Sequence, residues 1–344
     1  MAVAGNGRAV VMTDVARLAG VSSQTVSRVL NEHPRVSPAT RERVLAAVRQ
    51  LNYHPNALAR GLAGGRSRVV GVISFNADLY GPAATLLGIE RAAHAAGYGL
   101  SIATVERVDY HGVLSACGRL ADQSVDGVIV ITPQTTATAA LHRLPRGMAA
   151  VAVSPDPRTP IPAISVDQVA GARLAVTHLL ELGHRNVWHV TGTDDSLEAQ
   201  GRVEGWRATL EQAGITSPPL IRGDWSARSG YQAGLRLAGR KDVTAVFAGN
   251  DQLALGMLRA FAERGVRVPE DVSVVGFDDI PEAEYLVPPL TTIRQDFGEV
   301  GRRCMAALLP RMRADLPAGT THPAQDPTIQ PTLIVRRTST TPPR

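Results

Sequence analysis

"AGVSSQTVSRVLN", residues 19–31, reads as a small-residue turn running into a short helix whose single charge is Arg28. Ser23, Gln24, Thr25 and Ser27 are polar without being ionic. A solvated helix carries more charge than this, and a core helix carries fewer hydroxyls and amides. The flanking sequence supplies the context. Thr13 stands as an N-cap before "DVARLA", with Val15 and Leu18 on one face, and Gly20 breaks that helix. Ser22 caps the quoted helix, in which Val26, Val29 and Leu30 recur at helical spacing. A third helix begins at "SPAT", with Ser37 as cap, Pro38 at the first helical position and Val44, Leu45, Val48 and Leu51 as its apolar stripe. Two short helices across a tight turn, with a third beneath them, form a helix-turn-helix.

With its apolar face turned inward, the second helix presents Ser23, Gln24, Ser27 and Arg28. These side chains suit a major groove: Gln pairs with adenine in bidentate fashion, Arg with guanine, and Ser bonds phosphate or a base edge. Charge weighs against the plainer reading of an ordinary polar surface helix. Residues 1–68 hold ten arginines against three acids, Asp14, Glu32 and Glu42, a balance of +7. The whole chain is +5, so the remainder comes to about −2. A basic block on a near-neutral body is the footprint of a polyanion partner. An overall preference for arginine, in a chain whose only lysine is Lys241, would raise both parts alike.

From residue 69 onward short apolar runs alternate with helical stretches. "VVGVISF" is followed by a helix over 85–96 and "LSIATV" by one over 110–120. "DGVIVIT", "AAVAV", "NVWHV", "TAVFAG" and "VSVVGFDD" continue the series. Continuous Val/Ile-rich runs predict parallel strands buried on both faces, in two βαβ sets that divide near Asp167. Ligands of such sheets sit beyond the strand C-terminal ends. The polar residues there are Arg202, Trp225, Asn250 with Asp251, Asp278 with Asp279, and Gln295 with Phe297. A guanidinium, carboxylates, amides and two aromatic rings are what a sugar site needs, planar polar groups for hydroxyls and a ring for the apolar sugar face.

"TDVARLAGVSSQTVSRVLN", "VSPATRERV" and "LNYHPNALARGLAGG", in that order and spacing, resemble the DNA-binding headpiece of the lactose repressor (LacI/GalR) family. The body resembles that family's effector-binding core, unusually closely at "NDQLALG", "GDWSA" and "PPLTTI". The resemblance implies a small all-α helix-turn-helix headpiece followed by an α/β two-lobed, periplasmic-binding-protein-like core with parallel sheets. It implies a helix-turn-helix domain over 11–55, a hinge helix and linker over 56–68, and a ligand-binding and dimerisation core over 69–340. Within the core, one lobe spans about 69–166 plus 294–323 and the other about 167–293 plus 324–340. Double-stranded operator DNA then meets Thr13, Ser22, Ser23, Gln24, Thr25, Ser27, Arg28, Asn31, Arg35, Tyr53, Asn56, Ala59 and Leu62. A small effector, by resemblance a sugar, meets Thr85, Arg202, Trp225, Asn250, Asp278, Gln295 and Phe297. Ile131 and Ser154 depart from the resemblance, standing where it leads to an asparagine and an aspartate. The hinge, "NALARGLAGG", is some two turns long and carries Gly61, so it is stable as a helix only when something holds it. Paired hinge helices wedging Leu62 into a minor groove are the implied state on DNA.

Rival readings fare less well. A transport-type sugar-binding protein has no use for a basic helix-turn-helix and needs a signal peptide, whose apolar segment the N-terminus lacks. An enzyme is not expected: no GxxxxGK[ST], G-x-S-x-G or HExxH motif occurs, and the adjacent Asp278 and Asp279 diverge too far to flank one bond. Cys117 and Cys304 lie far apart and near no His cluster, so neither a disulfide framework nor a zinc site is expected, and no cofactor is implied. No run approaches the roughly 18 apolar residues of a membrane span. The reading is a cytoplasmic, nucleoid-associated homodimer, the chain carrying no leucine heptads after its body. The alternative within the class senses ribose or a purine, with the ligand acting as corepressor.

Overall fold

The computed structural model describes residues 10–30, 33, 35–53, 67–75, 78–105, 110–131, 134–142, 144–145, 147–312 and 327–343. The chain divides into two compact units, one up to Arg68 and one from Val69 onward. Asn31, Asn56, Ala59, Gly61 and Leu62, and with them the hinge, lie outside the described residues.

In the first unit the helices are α1 (Met12–Ala19), α2 (Ser23–Leu30) and α3 (Pro38–Gln50). Thr13 does not cap α1, which begins one residue earlier. The Asp14 carboxylate instead accepts a hydrogen bond from the Val11 amide at 3.0 Å, leaving Thr13 exposed inside the first turn. Gly20 ends α1 with φ of +65°, a conformation that favours glycine. Ser22 Oγ accepts from the Thr25 amide at 3.2 Å and Ser37 Oγ from the Thr40 amide at 3.3 Å, so both serines cap their helices. The core is built on Val15, Val26, Val29, Val44 and Tyr53. Leu18 and Leu45 point outward instead, and Ala16, Ala19 and Ala47 take inward places. Three short helices around so small a core approach closely, and alanines permit that where leucines would hold them apart.

The second unit holds two six-stranded sheets. The first contains β1 (Val69–Phe75), β2 (Gly99–Val105), β3 (Gly127–Ile131), β4 (Ala150–Val153), β5 (Ala163–Val166) and the late β11 (Thr328–Ile329), in the order β2-β1-β3-β4-β5-β11, all parallel. Helices α4 (Tyr80–Ala95), α5 (Tyr110–Asp122), α6 (Ala137–Leu141) and the late α11 (Phe297–Met312) belong to this lobe. The second sheet contains β6 (Val187–Thr191), β7 (Ile221–Arg222), β8 (Ala245–Ala248), β9 (Ser273–Asp278), β10 (Thr291–Arg294) and β12 (Thr332–Ile334). Its order is β7-β6-β8-β9-β10-β12, parallel except for the last pair. Helices α7 (Gln168–Glu181), α8 (Leu197–Gln212), α9 (Ala227–Ala238) and α10 (Asp251–Glu263) cover it. The helix after β1 starts at Tyr80, a turn and a half before the expected 85. Both sheets have the same doubly wound order, with a switch point between β1 and β3 and another between β6 and β8.

The chain passes between the lobes three times: at Asp167, between Arg294 and Phe297, and at Gln330–Pro331. The third crossing falls later than Pro323, because Thr328 and Ile329 still pair with Ser165 and Val166 in the first lobe. His184 holds the C-terminal segment to the second lobe, its Nε2 lying 2.9 Å from the Thr340 carbonyl and its Nδ1 3.0 Å from Thr244 Oγ1. His178 Nε2 lies 2.9 Å from Ser339 Oγ. Cys117 and Cys304 are buried thiols, the latter pushed up to about 12 by burial. Among the described residues no helix is long and apolar enough to cross a membrane, and no group of His, Cys, Asp and Glu could hold a metal ion.

Candidate functional site: a two-chambered cleft and a polar recognition helix

The strand C-terminal ends of the two lobes face a shared cleft with two adjoining chambers. One has about 510 Å³ of empty space, partly open to solvent, and is lined by Leu79, Tyr80, Gln134, Arg202, Trp225, Asn250 and Asp278. The other, about 330 Å³, is lined by Thr85, Ser154, Gln168, Phe297 and Val300. Glu198 and Gln295 line both. All seven expected effector residues thus face one chamber or the other. The lobes touch across the cleft where Gln134 pairs with Ser196 and the Thr135 amide donates to the Asp195 carbonyl at 3.1 Å.

Arg202 is the centre of the larger chamber. It projects from the second turn of α8 and is 2 % exposed. Nε donates to Gln168 Oε1 at 2.8 Å and an Nη to the Gly249 carbonyl, and the second Nη lies 3.7 Å from Asp278 Oδ1. The guanidinium carbon lies 3.8 Å from the Phe277 ring centre and 5.1 Å from that of Trp225. Burial lowers its pKa, and Asp278 opposes that shift. Gln295 Nε2 donates to the same Asp278 oxygen at 2.7 Å. Burial pushes the Asp278 carboxyl up to about 6 in spite of both partners. Behind it Asp251 is fully buried, accepting from Thr292 Oγ1 at 2.6 Å and the Ile280 amide at 2.9 Å, and burial with the nearby Asp278 charge raises its pKa well above the usual carboxylate range.

Asn250 caps α10 through Leu253 and donates from Nδ2 to the Trp225 carbonyl at 3.1 Å, which ties the indole loop to the β8 end. Trp225 lies flat against Gly192, where an added Cβ would come within 2.0 Å of the ring, so only glycine fits there. Trp225, Asp278 and Asp279 all adopt positive φ, at 72°, 113° and 57°. Backbone strain of this kind in non-glycine residues gathers at functional sites. Phe297 meets Tyr80 edge-on at 5.9 Å. The Asp pair diverges: Asp279 turns away to Arg294 at 2.6 Å and Arg336 at 2.7 Å, so the two carboxylates do not flank a common bond. Ile131 is buried in the first lobe's core, and Ser154 lines the smaller chamber.

Tyr80 lines the cleft from the stretch "YGPAATL", which the resemblance also places there, whereas Glu198, Gln134 and Gln168 line it and were not singled out in the sequence. Gln134 and Glu198 follow β3 and β6, so the strand-end rule that found the others also reaches them.

On the headpiece, Gln24 and Arg28 are exposed on α2, while Ser23, Thr25 and Ser27 are half-buried beside them. Thr25 Oγ1 lies 2.9 Å from Ser22 Oγ. Arg35 is exposed, whereas Tyr53 packs within the headpiece core. Its side chain is therefore part of that core, 7 % exposed.

The profile of bacterial regulatory proteins of the lacI family matches residues 11–56, and that of the periplasmic binding protein-like domain matches residues 176–340. The lactose operon repressor of Escherichia coli (strain K12) is 38% identical over 302 residues, 87% of this chain and 84% of that protein. The HTH-type transcriptional repressor PurR of Haemophilus influenzae (strain PittEE) is 33% identical over 332 residues, 94% of this chain and 97% of that protein. A crystal structure of the Lac repressor dimer bound to operator and the anti-inducer ONPF superposes with a TM-score of 0.85 at 35% identity, covering 97% of this chain and 100% of that one. With the helix-turn-helix, the two parallel-sheet lobes and the cleft in place, the chain belongs to the lacI family of bacterial regulatory proteins.

Proposed function

We propose that this regulator binds a near-palindromic operator as a homodimer, represses carbohydrate-utilisation genes in the cytoplasm at the nucleoid, and is released by a small sugar held between its lobes. It is a transcriptional repressor and not an enzyme. The observation that carries the effector reading is the cleft lining: planar polar groups of Arg202, Asn250, Asp278 and Gln295 set against the rings of Trp225, Phe297 and Tyr80. Amides and carboxylates pair with hydroxyls while a ring covers the apolar face of a pyranose, and a galactoside or related glycoside fits that set. On the DNA side, Gln24 and Arg28 read bases, Ser23 and Ser27 reach phosphate or base edges, and Arg35 adds a phosphate contact.

The two events couple only if the ligand binds the DNA-bound and free states with different affinity. Closure of the lobes on a sugar changes the lobe orientation and withdraws support from the marginal hinge, and operator affinity falls. Operator binding measured by fluorescence anisotropy, with and without each of a panel of sugars and purines, tests this. Release by a glycoside supports the reading, and tighter binding with a purine would replace it by corepression. Trp225→Ala should abolish the response and leave the operator complex intact. A normal response from that variant would remove the indole from the site.

A further inference from the structure

We propose that Glu198 sets effector specificity in the cleft, admitting ligands whose hydroxyl or ammonium groups donate hydrogen bonds and turning away their anionic counterparts. The proposal rests on the reading that the cleft takes a sugar, and sharpens it. Glu198 lies on the first turn of α8 and lines both chambers, so a ligand in either one lies beside it.

The side-chain amide donors of Gln168, Gln295 and Asn250 are committed to the protein itself. Gln168 Nε2 donates to the Val166 carbonyl at 3.2 Å and to Gln295 Oε1 at 3.0 Å. Gln295 Nε2 is taken by Asp278, and Asn250 Nδ2 by the Trp225 carbonyl and by Gln252 Oε1 at 3.0 Å. Arg202 donates to Gln168 and to the Gly249 carbonyl and is ion-paired with Asp278.

Acceptors are left open. Gln134 Oε1 is buried in the larger chamber without a hydrogen-bond partner. No hydrogen bond or ion pair reaches the Glu198 carboxylate among the described residues, although Arg202 lies one turn along the same helix.

Charge points the same way. The guanidinium of Arg202 faces two carboxylates on the wall of the larger chamber, Asp278 at 3.7 Å and Glu198 on its own helix, so acids outnumber bases on that lining. Burial raises the pKa of Glu198, and the nearby Arg202 charge opposes that shift. A hydroxyl pair or an ammonium group supplies the hydrogen bonds that the carboxylate does not receive from the described residues. A carboxylate or phosphate on the ligand would meet like charge at Glu198.

The test uses the full chain and its Glu198→Gln and Glu198→Asp variants, titrated calorimetrically with four matched probes in the galactose and glucose series: methyl glycoside, 2-amino sugar, uronate and 6-phosphate. In the wild type the methyl glycoside or the amino sugar binds at least tenfold more tightly than the uronate and phosphate, about 1.4 kcal/mol. Glu198→Gln keeps the shape, loses the charge and brings that ratio to within about threefold, while Glu198→Asp retains discrimination. A larger loss for the amino sugar than for the methyl glycoside in Glu198→Gln identifies the ammonium group as the partner, and equal losses identify hydroxyls. Equal wild-type affinity for the anionic probes, or a ratio unchanged by Glu198→Gln, overturns the proposal while leaving the sugar reading in place. Failure of every probe to bind the wild type overturns both.

Discussion

Gln24 and Arg28 stand exposed on the second headpiece helix, and their side chains have no partner among the described residues. Arg202, in the cleft, is held on several sides by protein: an amide, a carbonyl, a carboxylate and two aromatic rings. Both are long polar side chains offered to a partner, yet their preparation is opposite. A groove reader keeps its donors free and is ordered by the partner, which supplies the acceptors. A ligand pocket is ordered in advance, its members bonded to one another, so that little freedom is lost when the ligand arrives. The two kinds of site should therefore respond differently to substitution. A cleft residue carries stability as well as binding, whereas a groove reader carries binding alone.

The largest effect should come from Arg202→Ala. Removing one member of a buried ion pair leaves the other charge uncompensated, and here Asp278 loses its counter-charge with Glu198 and Asp251 close by. A loss of about 3–5 kcal/mol in urea unfolding of the core transition is expected. A loss below about 1 kcal/mol would mean that the pocket is not preorganised and would break the comparison.

The legibility of the two regions differs for the same reason. Headpiece helices declare themselves locally, through Ser22, Ser37 and Pro38 at their starts and Gly20 at a stop. Only the α1 cap was misplaced, because Asp14 reaches back from within the helix. The long core strands are equally plain, "VVGVISF" coinciding with β1. Short edge strands are not: β7, β11 and β12 have two or three residues, too few to show a period, and exist because a neighbouring strand offers its edge. In the cleft, Arg202, Trp225 and Asp278 were legible from their places after strand ends. The meeting of Gln134 with Ser196 was not, since it joins residues of different lobes. The positive φ of Trp225, Asp278 and Asp279 has no local sequence signal either, as none is a glycine.

A second, smaller effect separates preorganised burial from ligand contact. His189 on β6 is fully buried, stacked on Phe247 at 4.6 Å between ring centres, with Nδ1 2.9 Å from the Phe247 carbonyl. With the ring neutral, Nδ1–H donates to that carbonyl, and Nε2 has no partner. Burial lowers its pKa to about 3. The unfolded chain therefore binds a proton near the ordinary value of 6.5 that the folded protein refuses. Stability is full above 6.5 and is lost as pH falls toward 3, at about 1.4 kcal/mol per pH unit, or roughly 2 kcal/mol by pH 5. Asp278 acts in the opposite sense between about 6 and its unfolded value, since the folded state takes up its proton first. The difference between wild type and His189→Leu isolates the histidine: the wild type should lose about 2 kcal/mol more than the variant between pH 7 and pH 5. Parallel pH profiles would show that the ring is not held neutral.

The smallest effect on stability should come from Arg28→Ala. Its exposed side chain has no partner within the described fold, and surface substitutions of that kind stay within about 0.5 kcal/mol. The same change should cost roughly 1–3 kcal/mol of discrimination at one base pair of each half-site, because a bidentate contact to guanine is lost. Competition between operator variants, each altered at one position, reads this as a flattened preference at a single pair. Loss of only a phosphate contact would instead weaken all sequences alike and lower the salt dependence by about one counterion. The two outcomes differ in pattern as well as size. A uniform loss would move Arg28 from base reader to phosphate anchor, and a drop in unfolding stability would show that the headpiece, like the cleft, binds its own readers before the partner arrives.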